Sequence, residues 1–217
     1  MAHQVESYAG RVKPLIVVLA SVGQDAGSWD EQVQSLAAYP FLVVTAGELA
    51  NGDFSFEVAV ETLHTRIVEV GAESVVLVGL SLGGMIATRY AALYQETLHG
   101  LLLSGSQVKP NPVVMGLQRG IMRLLPARKL PLPEGITKPQ FLAMLDAAAK
   151  ADFRQDLPKI SAKTLVLCGS KDPFNIPAAK RIATAVPHAE LRIVEGGGHE
   201  LNTEKPEEFT QAIQKLL

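Results

Sequence analysis

Residues 74–94 read SVVLVGLSLGGMIATRYAALY, an apolar strand pattern followed directly by a helix pattern. Between the two lies Gly79-Leu80-Ser81-Leu82-Gly83, a G-x-S-x-G motif. The two glycines leave room for a tight turn, and a turn of this kind holds the serine hydroxyl above the carboxyl edge of a sheet. The amino end of the following helix also favours developing negative charge. The segment therefore predicts a sheet of parallel type, with Ser81 as a nucleophile at its edge.

Short apolar segments of the same kind recur along the chain. They cover residues 15–20, 41–46, 74–80, 100–106, 164–170 and 191–196. Their residues are apolar without alternation, which is typical of strands that are covered on both faces, as in a parallel sheet between helices. The segments therefore predict six strands of one sheet.

Helix patterns separate these strands. Ser28-Trp29-Asp30-Glu31 has the form of a capping box and predicts a helix from about Trp29. Ser55 precedes a second helix pattern, FEVAVETLHTRIVEV, which Gly71 ends. Alternating strands and helices with right-handed crossovers predict an α/β fold with a doubly wound, mostly parallel sheet.

Residues 107–160 interrupt the alternation, because they separate two strands by far more than one crossover requires. Two apolar helix patterns lie there, at 111–125 and 139–150, and predict a small helical cap inserted in the domain. Apolar residues of the cap are candidates to bind an acyl group: Met115, Ile121, Phe141, Leu142 and Leu145. The alternative, which the sequence leaves open, is that they form ordinary core.

Length and composition limit the class of protein. The chain has 217 residues, of which 47% are hydrophobic and 19% charged, as in an ordinary globular domain. A single core can grow to this size, so we expect one domain over residues 1–217. The formal net charge is −2 with no basic cluster, so we expect no nucleic-acid partner.

Other features of the composition bear on location and cofactors. No stretch is apolar enough to predict a membrane partner, and the single cysteine, Cys168, permits no internal disulfide. We therefore expect a cytoplasmic protein. The sequence has no H-x-x-x-H pair and neither a G-x-G-x-x-G nor a P-loop motif, so we expect no metal and no nucleotide cofactor. The oligomeric state is left open.

A serine hydroxyl needs a base within hydrogen-bond reach and a carboxylate that orients this base. Of the five histidines, His199 alone follows the carboxyl end of a predicted strand, in a glycine-rich loop that can bend over the sheet edge. Asp172 follows another predicted strand, whereas Asp25 and Asp30 lie on an early loop and helix and are poorer candidates. The predicted catalytic residues are therefore Ser81, Asp172 and His199.

An oxyanion hole needs two backbone N–H donors. One is expected from Leu82, which directly follows the nucleophile. The other is expected from the loop after the first strand, residues 20–25, where Val22 is the predicted donor.

These segments together resemble the α/β-hydrolase superfamily over nearly the full chain. GLSLGGMIATRYAALY is similar to the nucleophile segment of small bacterial esterases and of hydrolases like 3-oxoadipate enol-lactonase. Residues 152–202 are similar to the acid and histidine segments of these enzymes, and equally to those of cofactor-free haloperoxidases or perhydrolases. The resemblance implies the order nucleophile, acid, base for Ser81, Asp172 and His199.

The chain departs from the family pattern at three places. Ala20-Ser21 stands where the family usually has His-Gly, and TAGELANGDFS at 45–55 replaces the arginine-glycine-rich loop that usually follows the second parallel strand. About 14 residues precede the first parallel strand, so we expect the leading edge of the sheet to be trimmed.

The function that these residues predict is that of a carboxylic ester hydrolase with a Ser-Asp-His triad. It would cleave a small to medium ester or lactone, a small-molecule substrate, through an acyl-enzyme. A perhydrolase-like activity with the same triad is the first alternative. The second is a non-catalytic small-molecule binding protein of the same fold.

Overall fold

The computed structural model describes residues 13–50, 54–130, 132 and 135–217. Within them, six parallel strands form one sheet in the order β2-β1-β3-β4-β5-β6. The strands are β1 (Leu15–Leu19), β2 (Phe41–Val44), β3 (Val75–Leu80), β4 (Leu98–Ser104), β5 (Lys163–Gly169) and β6 (Glu190–Val194). The predicted α/β fold with a doubly wound sheet is confirmed, and every predicted segment contributes a strand.

Helices connect and cover these strands on both faces. They are α1 (Asp30–Ser35), α2 (Ala46–Leu49), α3 (Phe56–Val70), α4 (Leu82–Leu93), α5 (Pro112–Leu124), α6 (Lys138–Lys150), α7 (Ile176–Ala185), α8 (Leu201–Glu204) and α9 (Pro206–Gln214). Ser55 caps α3 and Gly71 ends it with φ of 70°, as the sequence predicts.

The start of α1 differs from the prediction. Asp25 accepts the Ser28 N–H at 3.0 Å and caps a short 3₁₀ helix, Ala26–Trp29, so that α1 begins only at Asp30. The predicted capping box at Ser28 is therefore wrong, because the Asp25 carboxylate caps the turn that comes before it. The second predicted strand also ends earlier, at Val44, since Thr45 and Glu48 form a capping box for α2.

The core has two parts, one on each face of the sheet. Alternate residues of β1 show this division, because Val17 and Leu19 pack with α3 and α4, whereas Ile16 and Val18 pack with α9. Both sets are fully buried. The strands are apolar at every position for this reason.

Helices α5 and α6 of the insertion pack against each other. Lys138 Nζ donates to the carbonyl oxygens of Arg123 and Leu125, and Arg119 pairs with Asp146. The insertion is closed at its base, where Phe153 N–H donates to the Val108 carbonyl at 2.8 Å. Arg89 of α4 holds this base through two hydrogen bonds to Asp156, at 3.0 and 2.8 Å.

Residues 1–12 and 51–53 lie outside the described residues. The prediction of a trimmed leading edge concerns residues 1–14 and lies largely outside the described residues. The prediction of an altered loop at 45–55 lies partly outside them. In the described part, no helix is long and apolar enough to cross a membrane.

Candidate active site

Ser81 occupies the turn between β3 and α4 in a strained backbone conformation, with φ of 55° and ψ of −115°. Its N–H donates to the Ser104 carbonyl at 2.9 Å, and its carbonyl accepts the Ser106 hydroxyl at 3.1 Å. A non-glycine residue with positive φ costs on the order of 1–3 kcal/mol and persists only where the surroundings impose it. Here the bonds to the end of β4 impose it.

The glycines of the motif allow close contact between backbones. A Cβ on Gly79 would lie 2.6 Å from the Gly83 carbonyl oxygen, and a Cβ on Gly83 would overlap the Leu19 carbonyl. The start of α4 therefore rests directly on the end of β1, and the loop that follows β1 is brought beside Ser81. Larger residues would push these elements apart.

Asp172 and His199 are in direct contact. His199 Nδ1 lies 2.8 Å from Asp172 Oδ2. Asp172 is buried, whereas the His199 side chain keeps 40% of its surface exposed. The carboxylate thus binds one ring nitrogen, Nδ1, and leaves the other, Nε2, able to accept a proton.

Glycines again permit this contact, because a Cβ on Gly169 would overlap the carbonyl oxygens of Gly197 and Gly198. The loops that follow β5 and β6 can therefore touch. Lys171 N–H donates to the Gly197 carbonyl at 2.8 Å and joins them. Glu204 accepts the Gly198 N–H at 2.7 Å and fixes the loop that carries His199.

The contact shifts both pKa values in opposite directions. Burial raises the pKa of Asp172, but hydrogen bonds from His199 and Asn175 outweigh it, and the pKa lies below its usual value. The hydrogen bond to Asp172 raises the pKa of His199, against the effect of burial, and the charges of Asp172, Glu200 and Glu204 raise it further. The pair therefore favours a charged carboxylate beside an imidazole that binds a proton readily.

Ser81 and His199 each lie close to the end of β4, at Ser104 and at Gly105, the residue that follows the strand. The His199 ring atoms Cε1 and Nδ1 lie 3.1 Å from the position that a Gly105 Cβ would take, and the preceding Ser104 binds the Ser81 backbone. No hydrogen bond joins Ser81 Oγ to His199 in the described residues. Such bonds often form only when substrate is bound.

The predicted oxyanion donors lie at the start of α4 and in the loop after β1, which the motif glycines bring together. Leu82 is the first residue of α4, and Val22 lies in the loop after β1. The hydrogen bonds of the described residues include none that either N–H donates. Both groups are thus available to an incoming oxygen.

Asn175 is a polar neighbour of Asp172 that was not predicted from the sequence. Its Nδ2 donates to Asp172 at 3.0 and 2.8 Å, and its Oδ1 accepts Gln107 Nε2 at 2.9 Å. Its position three residues after Asp172, just before α7, was the available signal. No sequence signal pointed to Gln107, because only the fold brings the start of the insertion close to α7.

The five residues proposed to bind substrate have different surroundings. Phe141 is 2% exposed and lies in the main core, and Leu142 and Leu145 pack against that core. Ile121 is 51% exposed on α5. Of the five, Met115 alone lines an open cleft of about 670 Å³, which Gln107 also lines but Ser81, Asp172 and His199 do not. The described structure thus does not gather the five around one cavity, and their common role stays a prediction.

Cys168 lies in β5 below this edge. Burial, and then the charge of Asp172, raise the pKa of its thiol to about 12. A thiol of this kind is a poor nucleophile. In the described part of the chain, no three His, Cys, Asp or Glu side chains are grouped so that they could hold a metal ion.

Comparison with known proteins agrees with the fold. Residues 16–212 match the Alpha/beta hydrolase family. The chain is 26% identical to a protein of Synechocystis sp. named provisionally as a non-heme chloroperoxidase, over 93% of this chain and 90% of that protein. It is 23% identical to a protein of Escherichia coli named provisionally as the carbamate hydrolase RutD, over 92% and 90%.

A solved structure shows the same architecture. The enol-lactonase from Burkholderia xenovorans LB400 superimposes with a TM-score of 0.82 at 20% identity, over 94% of this chain and 91% of that chain. Since the family match spans nearly the whole chain, the resemblance seen in the sequence is confirmed: the chain belongs to the alpha/beta hydrolase family.

Proposed function

We propose that the protein is a serine hydrolase that cleaves a small to medium carboxylic ester or lactone through an acyl-enzyme. The observation that carries this proposal is the 2.8 Å contact between His199 Nδ1 and Asp172, at the sheet edge where Ser81 occupies a strained turn. Ser81 is the nucleophile, His199 the base and Asp172 the carboxylate that orients the base.

The first half of the reaction makes the acyl-enzyme. His199 Nε2 takes the proton of Ser81 Oγ while this oxygen attacks the carbonyl carbon of the substrate. The N–H groups of Val22 and Leu82 stabilise the oxyanion that forms, since neither is bound within the described residues. The imidazolium then gives its proton to the departing alcohol oxygen as the C–O bond breaks.

The second half releases the acid. His199 takes a proton from water, the resulting hydroxide attacks the acyl carbon, and the bond to Ser81 Oγ breaks as the proton returns to that oxygen. The Asp172 carboxylate accepts the hydrogen bond from the His199 Nδ1–H throughout and remains charged. In a lactone the departing alcohol stays part of the product.

A perhydrolase activity is the second candidate, and the name of the Synechocystis relative favours it. Peroxide would then replace water in the second half and yield a peracid with the same triad. A non-catalytic binding protein of this fold is the third candidate. The cap, residues 107–160 in a single domain, is part of the proposal as the wall of the acyl site.

The decisive experiment is labelling with a fluorophosphonate probe, followed by mass mapping of the modified peptide. We expect the wild-type chain to be labelled on Ser81 and the Ser81→Ala variant to be unlabelled. Ser161→Ala is the matched control, because Ser161 precedes β5 at the opposite edge of the sheet. A wild-type chain that is folded but unlabelled would favour the binding protein.

Peroxide separates the two enzyme candidates. A hydrolase releases acid from a p-nitrophenyl ester at a rate that hydrogen peroxide does not change, whereas a perhydrolase releases peracid that oxidises a halide. We expect acid alone, with the best specificity near butyrate or hexanoate, because each buried methylene is worth about 0.8 kcal/mol until a short pocket is full.

A further inference from the structure

A buried pair of amide side chains joins the loop after β1 to the helix after His199. Gln24 Nε2 donates to Asn202 Oδ1 at 3.0 Å, and the two residues are 4% and 1% exposed. They are 178 positions apart in the chain. A hydrogen bond between two buried amides is costly to break, because each unpaired group keeps its desolvation penalty.

On one side, the pair shapes the loop that carries Val22. Gln24 Oε1 accepts the Ser21 N–H at 3.4 Å, and Gln24 N–H donates to the Ser21 carbonyl at 3.2 Å. The Ser21 N–H is therefore directed into the protein, whereas the next N–H, that of Val22, has no acceptor in the described residues. Gln24 thus binds the Ser21 N–H, and the Val22 N–H is left available.

On the other side, the pair holds the segment that carries the base. Asn202 lies three residues after His199, in α8. Its Nδ2 donates to the Ser28 carbonyl at 2.9 Å, and its own carbonyl accepts Gln32 Nε2 at 2.9 Å. The side chain of Asn202 thus joins α8 to Gln24 in the first loop and to the Ser28 carbonyl, and the backbone carbonyl of Asn202 joins α8 to Gln32 in α1.

We propose that Gln24 and Asn202 are positioning residues, which hold the Val22 N–H in a fixed place relative to His199. The inference rests on the proposed function, because it assumes that Val22 is an oxyanion donor and His199 the base. It also explains how a loop with Ala20-Ser21 keeps its shape, since the Gln24 side chain binds the backbone there. A displacement of 1 Å in such a site costs as much as 10²-fold in rate.

The test is a double-mutant cycle with near-isosteric changes, Gln24→Met and Asn202→Leu, on p-nitrophenyl butyrate. We expect each change to lower kcat about 10- to 100-fold, somewhat less than the loss of a whole oxyanion donor. KM should stay within about threefold, because the carbonyl oxygen of the bound substrate accepts weaker hydrogen bonds from these N–H groups than the oxyanion does. The double variant should lose little more than the worse single variant.

A second readout reports on the oxyanion hole itself. The Ki of a trifluoromethyl ketone, which forms a tetrahedral adduct with the nucleophile, should rise in parallel with the loss of kcat. The matched control is Gln95→Met. Gln95 Oε1 accepts the Ser161 hydroxyl at 2.5 Å and its N–H at 3.2 Å, so it also joins two distant segments, but at the amino edge of the sheet. It should lower Tm with kcat unchanged.

Gln24→Asn covers the case in which Gln24→Met fails to fold. It keeps an uncharged amide but shortens the side chain by one methylene, so the hydrogen bond to Asn202 Oδ1 is lost and kcat should fall about 10-fold. Near wild-type kcat with a lowered Tm in either variant would overturn the inference, as would fully additive losses in the double variant. These outcomes leave the proposed function intact, whereas absence of fluorophosphonate labelling in the wild-type chain would refute that function first.

Discussion

His199 Nδ1 lies 2.8 Å from Asp172 Oδ2, although the two residues belong to loops that follow different strands, β5 and β6. Asn175 Nδ2 donates to both oxygens of the same carboxylate. Asn175 Nδ2 also lies 3.2 Å from His199 Nδ1, so the amide and the imidazole are neighbours that both contact the carboxylate. The first four predictions test this arrangement.

Asp172→Asn should lower kcat about 10³- to 10⁴-fold, because an amide can turn its N–H to the imidazole and hold the wrong tautomer. Steady-state kinetics on p-nitrophenyl butyrate measures the loss. Asp25→Asn is the matched control, since Asp25 is an exposed cap of the 3₁₀ helix and lies outside the triad. Near wild-type kcat in Asp172→Asn would move the role of the acid to another residue.

The pH dependence of kcat/KM should show one acid limb with a midpoint above 6.5. Only neutral His199 can act as a base, and Asp172 raises the pKa of His199 above its ordinary value of 6.5. Activity should therefore rise as the pH rises through the raised pKa. A rate profile from pH 5 to 9 measures the midpoint, and a flat profile would contradict the role of His199.

The free energy of unfolding should also depend on pH through His199, but it should fall over the pH range in which activity rises. Since the folded pKa of His199 is raised, its contribution to the free energy of unfolding is complete below about pH 6.5 and is lost as the pH rises through the folded pKa. The contribution of Asp172, whose pKa is lowered, is present above 3.8 and is lost as the pH falls through its folded pKa. Urea unfolding at several pH values, compared with His199→Gln, separates the two.

Asn175→Leu should lower kcat by roughly 10-fold, the cost of a charge-assisted hydrogen bond of about 1.5 kcal/mol. The pKa of Asp172 should rise, because two hydrogen bonds to its charged form are lost. Gln107→Leu, which removes a contact to Asn175 but none to Asp172, is the comparison and should have a smaller effect. Equal losses in both variants would show that the cleft, and not the carboxylate, is disturbed.

Ser81→Gly should have a free energy of unfolding about 1 kcal/mol higher than Ser81→Ala, although both lack the proposed nucleophile. Alanine retains the strain of a φ of 55°, which glycine adopts freely. Urea unfolding of the two variants measures the difference. Equal stability would mean that the turn relaxes once the hydroxyl is gone.

Phe141→Ala should destabilise the protein by about 3–5 kcal/mol, the usual cost of removing a buried phenylalanine, because this side chain is 2% exposed. Ile121→Ser should stay within about 0.5 kcal/mol, since Ile121 is half exposed. Denaturant unfolding gives both values. A large loss at Ile121 would show that another surface covers α5 in solution.

The sequence by itself determined the fold, because apolar runs without polar alternation can be buried only in a sheet that is covered on both faces. It also determined the candidate Ser81, since a G-x-S-x-G between strand and helix is a local signal. Asp172 and His199 could be selected because each directly follows a strand, and parallel strands end at one edge of the sheet. Local pattern was sufficient in each case.

Only the tertiary structure decided which side chains touch across distant segments. The contacts of Gln107 with Asn175 and of Gln24 with Asn202 join residues 68 and 178 positions apart, and no periodicity in the sequence relates them. The same holds for α5, whose apolar residues predict a buried face but lie largely exposed, because α6 covers only one side of the helix. Burial depends on what the rest of the chain places beside a residue, whereas strand, helix and turn depend mainly on the residues next to it.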